Sequence, residues 1–345
     1  MSKKIRINML SMADSVDGQG VGSAYLELMK LLKEDGKVDF EILLNDKIKN
    51  SDIIHAHTVE PRNYIKLKRA KVPTIAYVHF LPDTLDGSIK LPKLAFKIFK
   101  KYVISFYKSA DHLVVVNPIF KKDMIKAGLK EEKITYIPNF VSKEKFYRKS
   151  PSEIKKLRKK YGLDEKDFVV LGAGQVQNRK GVLDFVEVAK MIPNVKFIWA
   201  GGFSFGAITD GHKELEKVMQ HPPKNVNFLG IIPRDDMNDL FNISDLLFVP
   251  SYNELFPMTI LEACSTNTPI VLRNLELYED ILFKKYLCAD NNDDFAKLIT
   301  KLSTDKKTYQ EAVENAKYIS NFYCKENIYK MWDEFYKSLI NNKKA

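Results

Sequence analysis

The stretch "DFVVLGAGQVQNRKGVLDFVEVAKMI", residues 167–192, places an apolar run before a glycine-containing loop and a helical pattern after it. The apolar run has the length and residue types of a buried strand, and the later apolar positions recur at helical spacing. The same succession returns downstream, where helical patterns separate the runs "VKFIWAG", "NVNFLG", "LLFVPS" and "PIVLR". Strands that alternate with helices predict a parallel sheet covered on both faces.

An earlier series of strand-like runs begins with "KIRINML" and continues through "DFEILL", "DIIHAH", "TIAYVHF" and "DHLVVVN". Two such series predict an α/β protein with two Rossmann-like, doubly wound domains. The polar, charged segment around Pro151 marks the boundary, so we expect domains at residues 1–150 and 151–324. The amphipathic run "ENIYKMWDEFYKSLI" predicts a final helix, and we assign residues 325–345 to the first domain.

Composition is typical of a globular protein, with 45% apolar and 29% charged residues in a chain of 345. The chain start lacks the pattern of a signal peptide, and no stretch is long and apolar enough for a membrane-spanning helix. The cysteines Cys264, Cys288 and Cys324 are widely spaced, which argues against a disulfide framework. These features predict a cytoplasmic protein.

Charge is distributed unevenly along the chain. The formal net charge is +11, and residues 51–150 alone carry 20 Lys and Arg against 9 Asp and Glu. An excess confined to one part of the first domain indicates a surface that faces an anionic partner, although a lysine-rich surface in water is the simpler alternative.

Ligands of open parallel sheets bind at the carboxyl ends of the strands, so the loops there are candidate sites. The loop "GAGQVQNRKG", residues 172–181, sets Arg179 and Lys180 at the start of a helix, where cations are ordinarily unfavourable. Their presence predicts a bound anion such as a diphosphate. The loop "DGQGVGS", residues 17–23, is a weaker phosphate candidate. Its glycines lack the spacing of a dinucleotide fold, but they leave a nicotinamide enzyme as an alternative.

Two glutamates flank a predicted helix start in "SYNELFPMTILEAC", residues 251–264. If Pro257 is the first helical residue, Glu254 lies in the preceding loop and Glu262 about a turn and a half inside. Both carboxylates can then face one crevice, where each accepts hydroxyl groups of a polyhydroxylated ligand. The alternative is one capping carboxylate and one solvated carboxylate.

Histidines occur at the ends of two predicted strands. His55 and His57 in "IIHAHT" share one face of a strand, which permits either a metal site or packing and acceptor contact at the strand end. His79 in "YVHF" is either a core histidine or a site residue.

The segment "PKLAFKIFKKYVISFYKS", residues 92–109, has helical periodicity and concentrates its lysines on one arc. Such a helix binds an anionic bilayer surface, and the cations of residues 62–71 add to it. Packing on the sheet with lysines in water is the alternative. The candidate membrane residues are Lys93, Lys97, Lys100, Lys101, Lys108, Phe96 and Phe99.

"GAGQVQNRKG" together with "FLGIIPRDDMNDLFNISDLLFVPSYNELFPMTILEAC" resembles the donor half of glycosyltransferase family four. The resemblance extends over nearly the whole chain and implies a GT-B fold, in which two Rossmann-like domains face a cleft. It also implies a UDP-sugar-dependent, retaining and metal-independent hexosyltransferase without a cofactor. The segments "NELFPMTILEA" and "GQVQNRKG" are similar to the subgroup that glycosylates diacylglycerol lipids, in particular enzymes that add a second glucose or galactose to monoglucosyldiacylglycerol.

The resemblance assigns roles to individual residues. Glu254 would contact the donor hexose and Glu262 the ribose, Arg179 and Lys180 the diphosphate, and His79 the reaction centre. The remaining donor-binding candidates are Gly22, Gly174, Gln175, Ile231, Phe256, Met258 and Thr259. The family ordinarily has arginine at position 175 and glycine at position 257. Arg179 is therefore expected to supply the charge that Gln175 lacks.

These observations predict an enzyme that moves glucose or galactose from a UDP-sugar to a membrane glycolipid, giving a diglycosyldiacylglycerol. The expected location is the cytoplasmic face of the membrane, with peripheral attachment and without nucleic acid as a partner. One alternative is a glycosyltransferase that acts on a capsule or teichoic acid precursor. Another is a non-catalytic basic protein that binds membranes or nucleic acid.

Overall fold

The structure is a computed structural model that describes residues 4–11, 20–82, 92–203, 211–254, 256 and 258–341. The chain forms two compact units. Unit 1 comprises residues 1–140 and 323–345, and unit 2 comprises residues 141–322.

Unit 1 contains a six-stranded sheet with the order β2-β1-β3-β4-β5-β6, and all of its strand pairs are parallel. The strands are β1 (Ile5–Leu10), β2 (Phe40–Leu44), β3 (Ile53–Ala56), β4 (Thr74–Val78), β5 (His112–Val115) and β6 (Ile134–Tyr136). The first helices are α1 (Gly20–Glu34), α2 (Pro61–Arg69), α3 (Lys93–Lys108) and α4 (Pro118–Lys126). Every residue of β3 and β4 is buried, as expected for central strands of a sheet with helices on both faces.

Unit 2 contains a second six-stranded parallel sheet, in the order β12-β11-β10-β7-β8-β9. Its strands are β7 (Val169–Ala173), β8 (Lys196–Ala200), β9 (Val226–Gly230), β10 (Leu246–Val249), β11 (Ile270–Arg273) and β12 (Leu287–Ala289). Its helices are α5 (Pro151–Lys160), α6 (Val182–Met191), α7 (His212–Gln220), α8 (Met237–Ile243), α9 (Met258–Ser265), α10 (Leu277–Ile281), α11 (Asn292–Thr304) and α12 (Lys306–Phe322).

Aromatic side chains fill the core between the unit 2 sheet and α6. Phe185 of α6 lies edge-on to Trp199 of β8 and stacks on Phe248 of β10, with centroid distances of 5.1 and 5.9 Å. All three side chains are buried. Burial of such large apolar surfaces is the main favourable contribution to folding, and here it fixes α6 over β7, β8 and β10.

The start of α5 is defined by local sequence. Ser150 and Glu153 form a reciprocal capping box, and Pro151 occupies the first helical turn. The preceding residues already belong to unit 2, because the backbone N–H groups of Tyr147 and Lys149 donate to Asn238 and Asn242 of α8. The division between the units therefore falls at residues 140 and 141, ahead of the charged segment used in the sequence analysis.

The final helix, α13 (Lys325–Asn341), belongs to unit 1. Its buried face carries Trp332 and Tyr336, which stack on each other and contact His55 of β3. The predicted class of two doubly wound parallel-sheet domains is confirmed. Among the helices formed by the described residues, none combines the length and apolarity required to span a bilayer.

Candidate active site

Unit 2 has a topological switch point between β7 and β10. From β7 the chain proceeds to β8 on one side, whereas β10 lies on the other side. The carboxyl ends of two such strands open a crevice in which ligands of doubly wound folds bind. The loop after β7 includes the short 3₁₀ helix Asn178–Lys180, and the loop after β10 includes Glu254. This edge of the sheet is therefore the candidate active site.

The two loops are in direct contact. Gly181 has φ of +68°, and a Cβ atom there would lie 2.3 Å from the carbonyl oxygen of Pro250. Only glycine adopts this left-handed conformation while allowing so close an approach. The Tyr252 N–H also donates to the Arg179 carbonyl over 2.8 Å. Backbone contacts therefore hold the basic loop against the acidic one.

Lys180 and Glu254 form a buried ion pair at the switch point. Lys180 Nζ lies 2.5 Å from Glu254 Oε1, and the two side chains are 16% and 5% exposed. An ammonium group has three N–H donors and a carboxylate has two oxygens. Each partner can therefore keep the other while it binds a further group, an acceptor at Lys180 or a donor at Glu254.

Arg179 is oriented by neutral groups. Its Nε donates to Gln177 Oε1 over 2.8 Å, and its Nη1 lies 3.4 Å from the Asn253 carbonyl oxygen. Gln177 in turn donates through Nε2 to Gln175 Oε1 over 2.9 Å. Gln175 thus helps to orient Arg179 through Gln177.

Gly174 shapes the turn after β7. Its N–H donates to the Ala200 carbonyl, and its own carbonyl oxygen accepts from Trp199 Nε1. Gly201 lies so close that a Cβ atom there would be 1.8 Å from the Gly174 oxygen. The two turns at the ends of β7 and β8 therefore depend on glycine at position 201.

Glu262 in α9 is buried and pairs with a cation, Arg234, that was not among the predicted site residues. Its carboxylate Oε1 lies 3.3 Å from Arg234 Nη2, and the side chains are 7% and 31% exposed. Arg234 begins a short 3₁₀ helix after β9, and its guanidinium lies 5.7 Å from the Phe146 ring centroid. The sequence analysis did not identify Arg234, whose only signal is its place beyond the carboxyl end of a predicted strand.

The other predicted donor residues lie near the same edge of the unit 2 sheet. Ile231 follows Gly230, which has φ of +71°, and Ile231 is 74% exposed. Phe256 and Met258 are buried and Thr259 is partly buried. Residues 255 and 257 lie outside the described residues. The helix α9 is given from Met258, and the predicted start at Pro257 therefore stays a prediction.

In unit 1, His57 and His79 follow the carboxyl ends of β3 and β4 and face each other. His57 Nδ1 lies 3.4 Å from His79 Nε2, and both residues are buried. Burial lowers the pKa of His79 to about 3 and moves the pKa of His57 well below its ordinary value. The pair is therefore neutral at physiological pH and exchanges hydrogen bonds without carrying charge.

His55 packs inward rather than toward a ligand. Its Nδ1 lies 2.9 Å from the Tyr336 hydroxyl, and its ring lies 4.2 Å from that of His57. Burial, assisted by His79, lowers the pKa of His55 to about 3. These contacts favour the strand-end packing interpretation. Among the described residues, no group of three or more His, Cys, Asp or Glu side chains could hold a metal ion.

Gly22 lies in the first helical turn of α1, at the carboxyl end of β1. Residues 12–19, which include the start of the "DGQGVGS" loop, lie outside the described residues.

A basic surface is formed by α2 and α3 of unit 1. Tyr64 of α2 lies 2.8 Å from Ser105 of α3 through its hydroxyl, and its ring stacks on Phe106. On α3, Phe96 and Phe99 are partly buried. The exposed lysines of that helix are Lys97, Lys100, Lys101 and Lys108, whereas the Lys93 side chain lies outside those described.

Two exposed apolar side chains lie beside these lysines. Leu94 is 72% exposed and Ile98 is 62% exposed, and helical spacing places both next to one edge of the lysine arc. Farther around the helix, apolar residues such as Val103 and Phe106 are buried within unit 1. The exposed face of α3 thus combines cations with an apolar pair.

Comparison with known proteins identifies the family. Residues 20–145 match the model described as Glycosyltransferase Family 4, and residues 153–318 match the model described as Glycosyl transferases group 1. Over 97% of this chain and 90% of the relative, the sequence is 45% identical to the alpha-galactosylglucosyldiacylglycerol synthase of Streptococcus pneumoniae. The chain belongs to glycosyltransferase family 4.

Other relatives within the family also carry lipid acceptors in their names. The processive diacylglycerol alpha-glucosyltransferase of Acholeplasma laidlawii is 29% identical over 86% of each chain. The predicted membership of the family and the resemblance to its lipid-glycosylating subgroup are confirmed.

Solved structures support the fold of this family 4 member. The Anabaena protein HepE in complex with UDP-glucose aligns with a TM-score of 0.78 at 19% identity, over 97% of this chain and all of the other. The sucrose-phosphate synthase of Thermosynechococcus elongatus aligns with a TM-score of 0.79 at 14% identity, over 98% of this chain and all of the other. The predicted GT-B fold class is confirmed.

Proposed function

We propose that this family 4 protein transfers glucose or galactose from a UDP-hexose to a membrane glycolipid such as monoglucosyldiacylglycerol, with retention of anomeric configuration. The observation that carries the proposal is the buried Lys180–Glu254 pair at the switch point of unit 2. This pair supports the proposal because a cation suited to a diphosphate lies next to a carboxylate suited to a hexose. The 45% identical relative, named as a galactosylglucosyldiacylglycerol synthase, supports this choice of acceptor.

Each donor-site residue has a distinct role in this proposal. Lys180 and Arg179 bind the diphosphate at the amino terminus of α6, where the helix dipole adds favourable potential. Glu254 accepts a hexose hydroxyl and stabilises positive charge that develops at the anomeric carbon. Glu262 accepts ribose hydroxyls, and the exposed Ile231 packs on the base.

The bond changes involve the donor phosphate and one acceptor hydroxyl. The bond between the anomeric carbon and the phosphate oxygen breaks, a bond from the acceptor oxygen forms on the same face, and the hydroxyl proton passes to the departing phosphate. Lys180 and Arg179 neutralise charge on that leaving group, which is electrostatic stabilisation of the transition state. Because protein cations fill this role, we propose that transfer requires no metal ion. Transfer that falls in EDTA and recovers with Mg²⁺ would contradict this.

We further propose that His79 borders the hexose at the point of transfer. Its neutral imidazole can donate or accept a hydrogen bond, and its partner His57 restrains the ring. His79→Ala is expected to lower kcat while the nucleotide affinity stays within about twofold. Unchanged kcat would remove His79 from the site.

The catalytic test compares two ion pairs that lie at opposite ends of β7 and β10. Glu254→Gln and Lys180→Met are expected to reduce transfer of radiolabelled hexose into lipid to a small residual rate. The matched control is Asp245→Asn, because Asp245 pairs with Arg158 over 2.7 Å at the amino ends of β7 and β10. This control removes a partly buried charge at the opposite edge of the sheet, so it should lower stability and leave kcat within about twofold of wild type.

Three results would contradict part of the proposal. Full transfer by Glu254→Gln would exclude Glu254 from the site. Wild-type protein that gains no thermal stability from UDP would favour the non-catalytic alternative, since ligands that bind only the folded state raise its stability. Transfer to a capsule or teichoic acid precursor instead of a glycolipid would change the acceptor class.

We also propose that the α2–α3 surface docks on the anionic inner face of the membrane. Each lysine near such a surface contributes roughly 1 kcal/mol, and the exposed Leu94 and Ile98 can enter the interfacial region. Binding to vesicles should rise with the fraction of anionic lipid and fall with salt. The double variant Leu94→Glu with Ile98→Glu should lose binding, whereas Met191→Glu, at another exposed apolar position in unit 2, should not. Equal binding by both variants would contradict the docking surface.

A further inference from the structure

Arg273, the last residue of β11, lies beneath the loop that carries Glu254. The parallel pairing of β11 with β10 sets Leu272 opposite Val249 and so brings Arg273 beside Pro250. The Arg273 side chain is buried, and its Nε donates to the Pro250 carbonyl over 2.8 Å. A charged residue thus ends a strand whose other positions, residues 270–272, are apolar and buried.

The rest of the guanidinium is also engaged. Its Nη1 donates to the Asp290 carbonyl over 3.0 Å, and its Nη2 lies 3.1 Å from the Asp184 carboxylate at the start of α6. The fixed fork of a guanidinium suits such simultaneous contacts, which an ammonium cannot reproduce. Arg273 therefore joins β11, β12, α6 and the loop after β10.

Tyr252 completes the arrangement from the solvent side. Its ring centroid lies 3.9 Å from the Arg273 guanidinium carbon, and the ring is about half exposed. Burial together with a hydrogen bond to Asp184 raises the pKa of the Tyr252 hydroxyl. Since the Tyr252 N–H donates to the Arg179 carbonyl, the same residue links the loop after β10 to the loop after β7.

We propose that Arg273 is a positioning residue that acts through Pro250 and Tyr252 to hold Glu254 against the donor hexose. This inference rests on the proposed function, because it concerns the same donor site. Tyr252 is two residues from Glu254, so a shift of its ring moves the carboxylate directly. A misplacement of about 1 Å at a reacting centre can reduce rate by about 100-fold.

The experiment measures kcat, the KM for UDP-hexose and the Kd of UDP in Arg273→Lys and Tyr252→Ala. Both variants should lower kcat by about 10-fold to 100-fold, while UDP affinity stays within about threefold. Tyr252→Ala removes an exposed side chain and therefore preserves the fold. The matched control is Tyr147→Ala, which removes another exposed tyrosine of unit 2 with a cation, Lys149, 5.4 Å from its ring centroid.

A double variant separates positioning from general structural support. If Tyr252 acts through Glu254, adding Tyr252→Ala to Glu254→Gln should leave the residual transfer rate unchanged within about twofold, whereas a structural role would lower it further. Additive losses in the double variant, or unchanged kcat in both single variants, would overturn the inference. Wild-type protein that transfers no hexose would instead overturn the proposed function, and that result is obtained before any variant is compared.

Discussion

Replacing Lys180 with methionine should destabilise unit 2, because it leaves the Glu254 carboxylate buried without its cation. The Glu254 side chain is 5% exposed and that of Lys180 is 16% exposed. Removing one partner of a fully buried pair costs about 3–5 kcal/mol, most of which is the penalty of the charge left behind. Since the lysine side of the pair has some access to water, we expect a loss of about 3 kcal/mol, at the lower end of that range.

The coupling free energy between Lys180 and Glu254 takes its sign from the charge that each variant leaves behind. Glu254→Gln keeps an oxygen that accepts from Lys180 and leaves only a partly exposed cation, so its cost should be about 1 kcal/mol. The double variant leaves no buried charge. It should therefore be more stable than Lys180→Met alone by about 1–2 kcal/mol.

The chain offers a clean optical probe for this measurement. It has two tryptophans, of which Trp199 lies in unit 2 and Trp332 in unit 1. In a Trp332→Phe background, urea unfolding followed by fluorescence reports unit 2. For a unit of this size, 3 kcal/mol corresponds to a fall of about 6–12 °C in Tm.

The control for this cycle is Asp245→Asn, which perturbs the ion pair at the opposite edge of the same strands and should show no coupling with Lys180→Met. The reasoning is refuted if Lys180→Met is as stable as wild type, or if the double variant loses the sum of the two single losses. Either result would mean that solvent, and not Lys180, stabilises the Glu254 carboxylate.

Further tests address each unit separately. Burial holds the pKa of His55 and His79 near 3, below the free value of 6.5, so the unfolded state binds more protons between these limits. Stability of unit 1 is thus present above pH 6.5 and declines as the pH falls, by about 2 kcal/mol per histidine at pH 5. A urea midpoint of Trp332 fluorescence that does not change with pH would contradict this. In unit 2, Gly201→Ala should cost more than about 3 kcal/mol and eliminate UDP binding, because its Cβ would overlap a backbone carbonyl oxygen. Gly162→Ala, also at positive φ but in open space, should cost only about 1 kcal/mol, and equal losses in both variants would refute the steric argument.

The fold could be predicted from sequence because its signals are local. Each strand is a short apolar run, and most helices carry a periodic pattern and identifiable end residues, such as Ser150 with Glu153 at the start of α5. Lys180 and Glu254 are 74 residues apart, but both follow a predicted strand. In a parallel sheet this places them at the same edge.

The partners of the predicted residues could not be obtained in this way. Arg234 pairs with Glu262, and Arg273 with Asp184, although neither pair comes from strands that are neighbours in the strand order of the unit 2 sheet. That order depends on packing across the whole sheet and has no local signature. An arginine that ends the apolar run "PIVLR" was nevertheless a usable signal, because a charge at that position must find a buried partner.

Exposure on α3 illustrates a second limit of periodicity. Four lysines of the predicted arc are exposed in the structure, but helical spacing alone does not show which apolar residues face the sheet. The structure buries Val103 and Phe106 and leaves Leu94 and Ile98 exposed beside the lysines. The membrane interpretation consequently depends on two exposed apolar residues that the periodic pattern did not single out.

At the proposed donor site, Arg179 contributes a positive charge that Lys180 does not, because Lys180 is paired with Glu254. Lys180 is matched by Glu254 and Arg234 by Glu262, so these pairs add no net charge. Within the part of the chain that the structure describes, Arg179 is held by the neutral Gln177 and a backbone carbonyl oxygen. In the proposed function, a diphosphate in this site would therefore meet the Arg179 guanidinium together with the amino terminus of α6. Arg179 can thus supply the charge that an arginine at position 175 would bring, while Gln175 contributes by orienting Gln177.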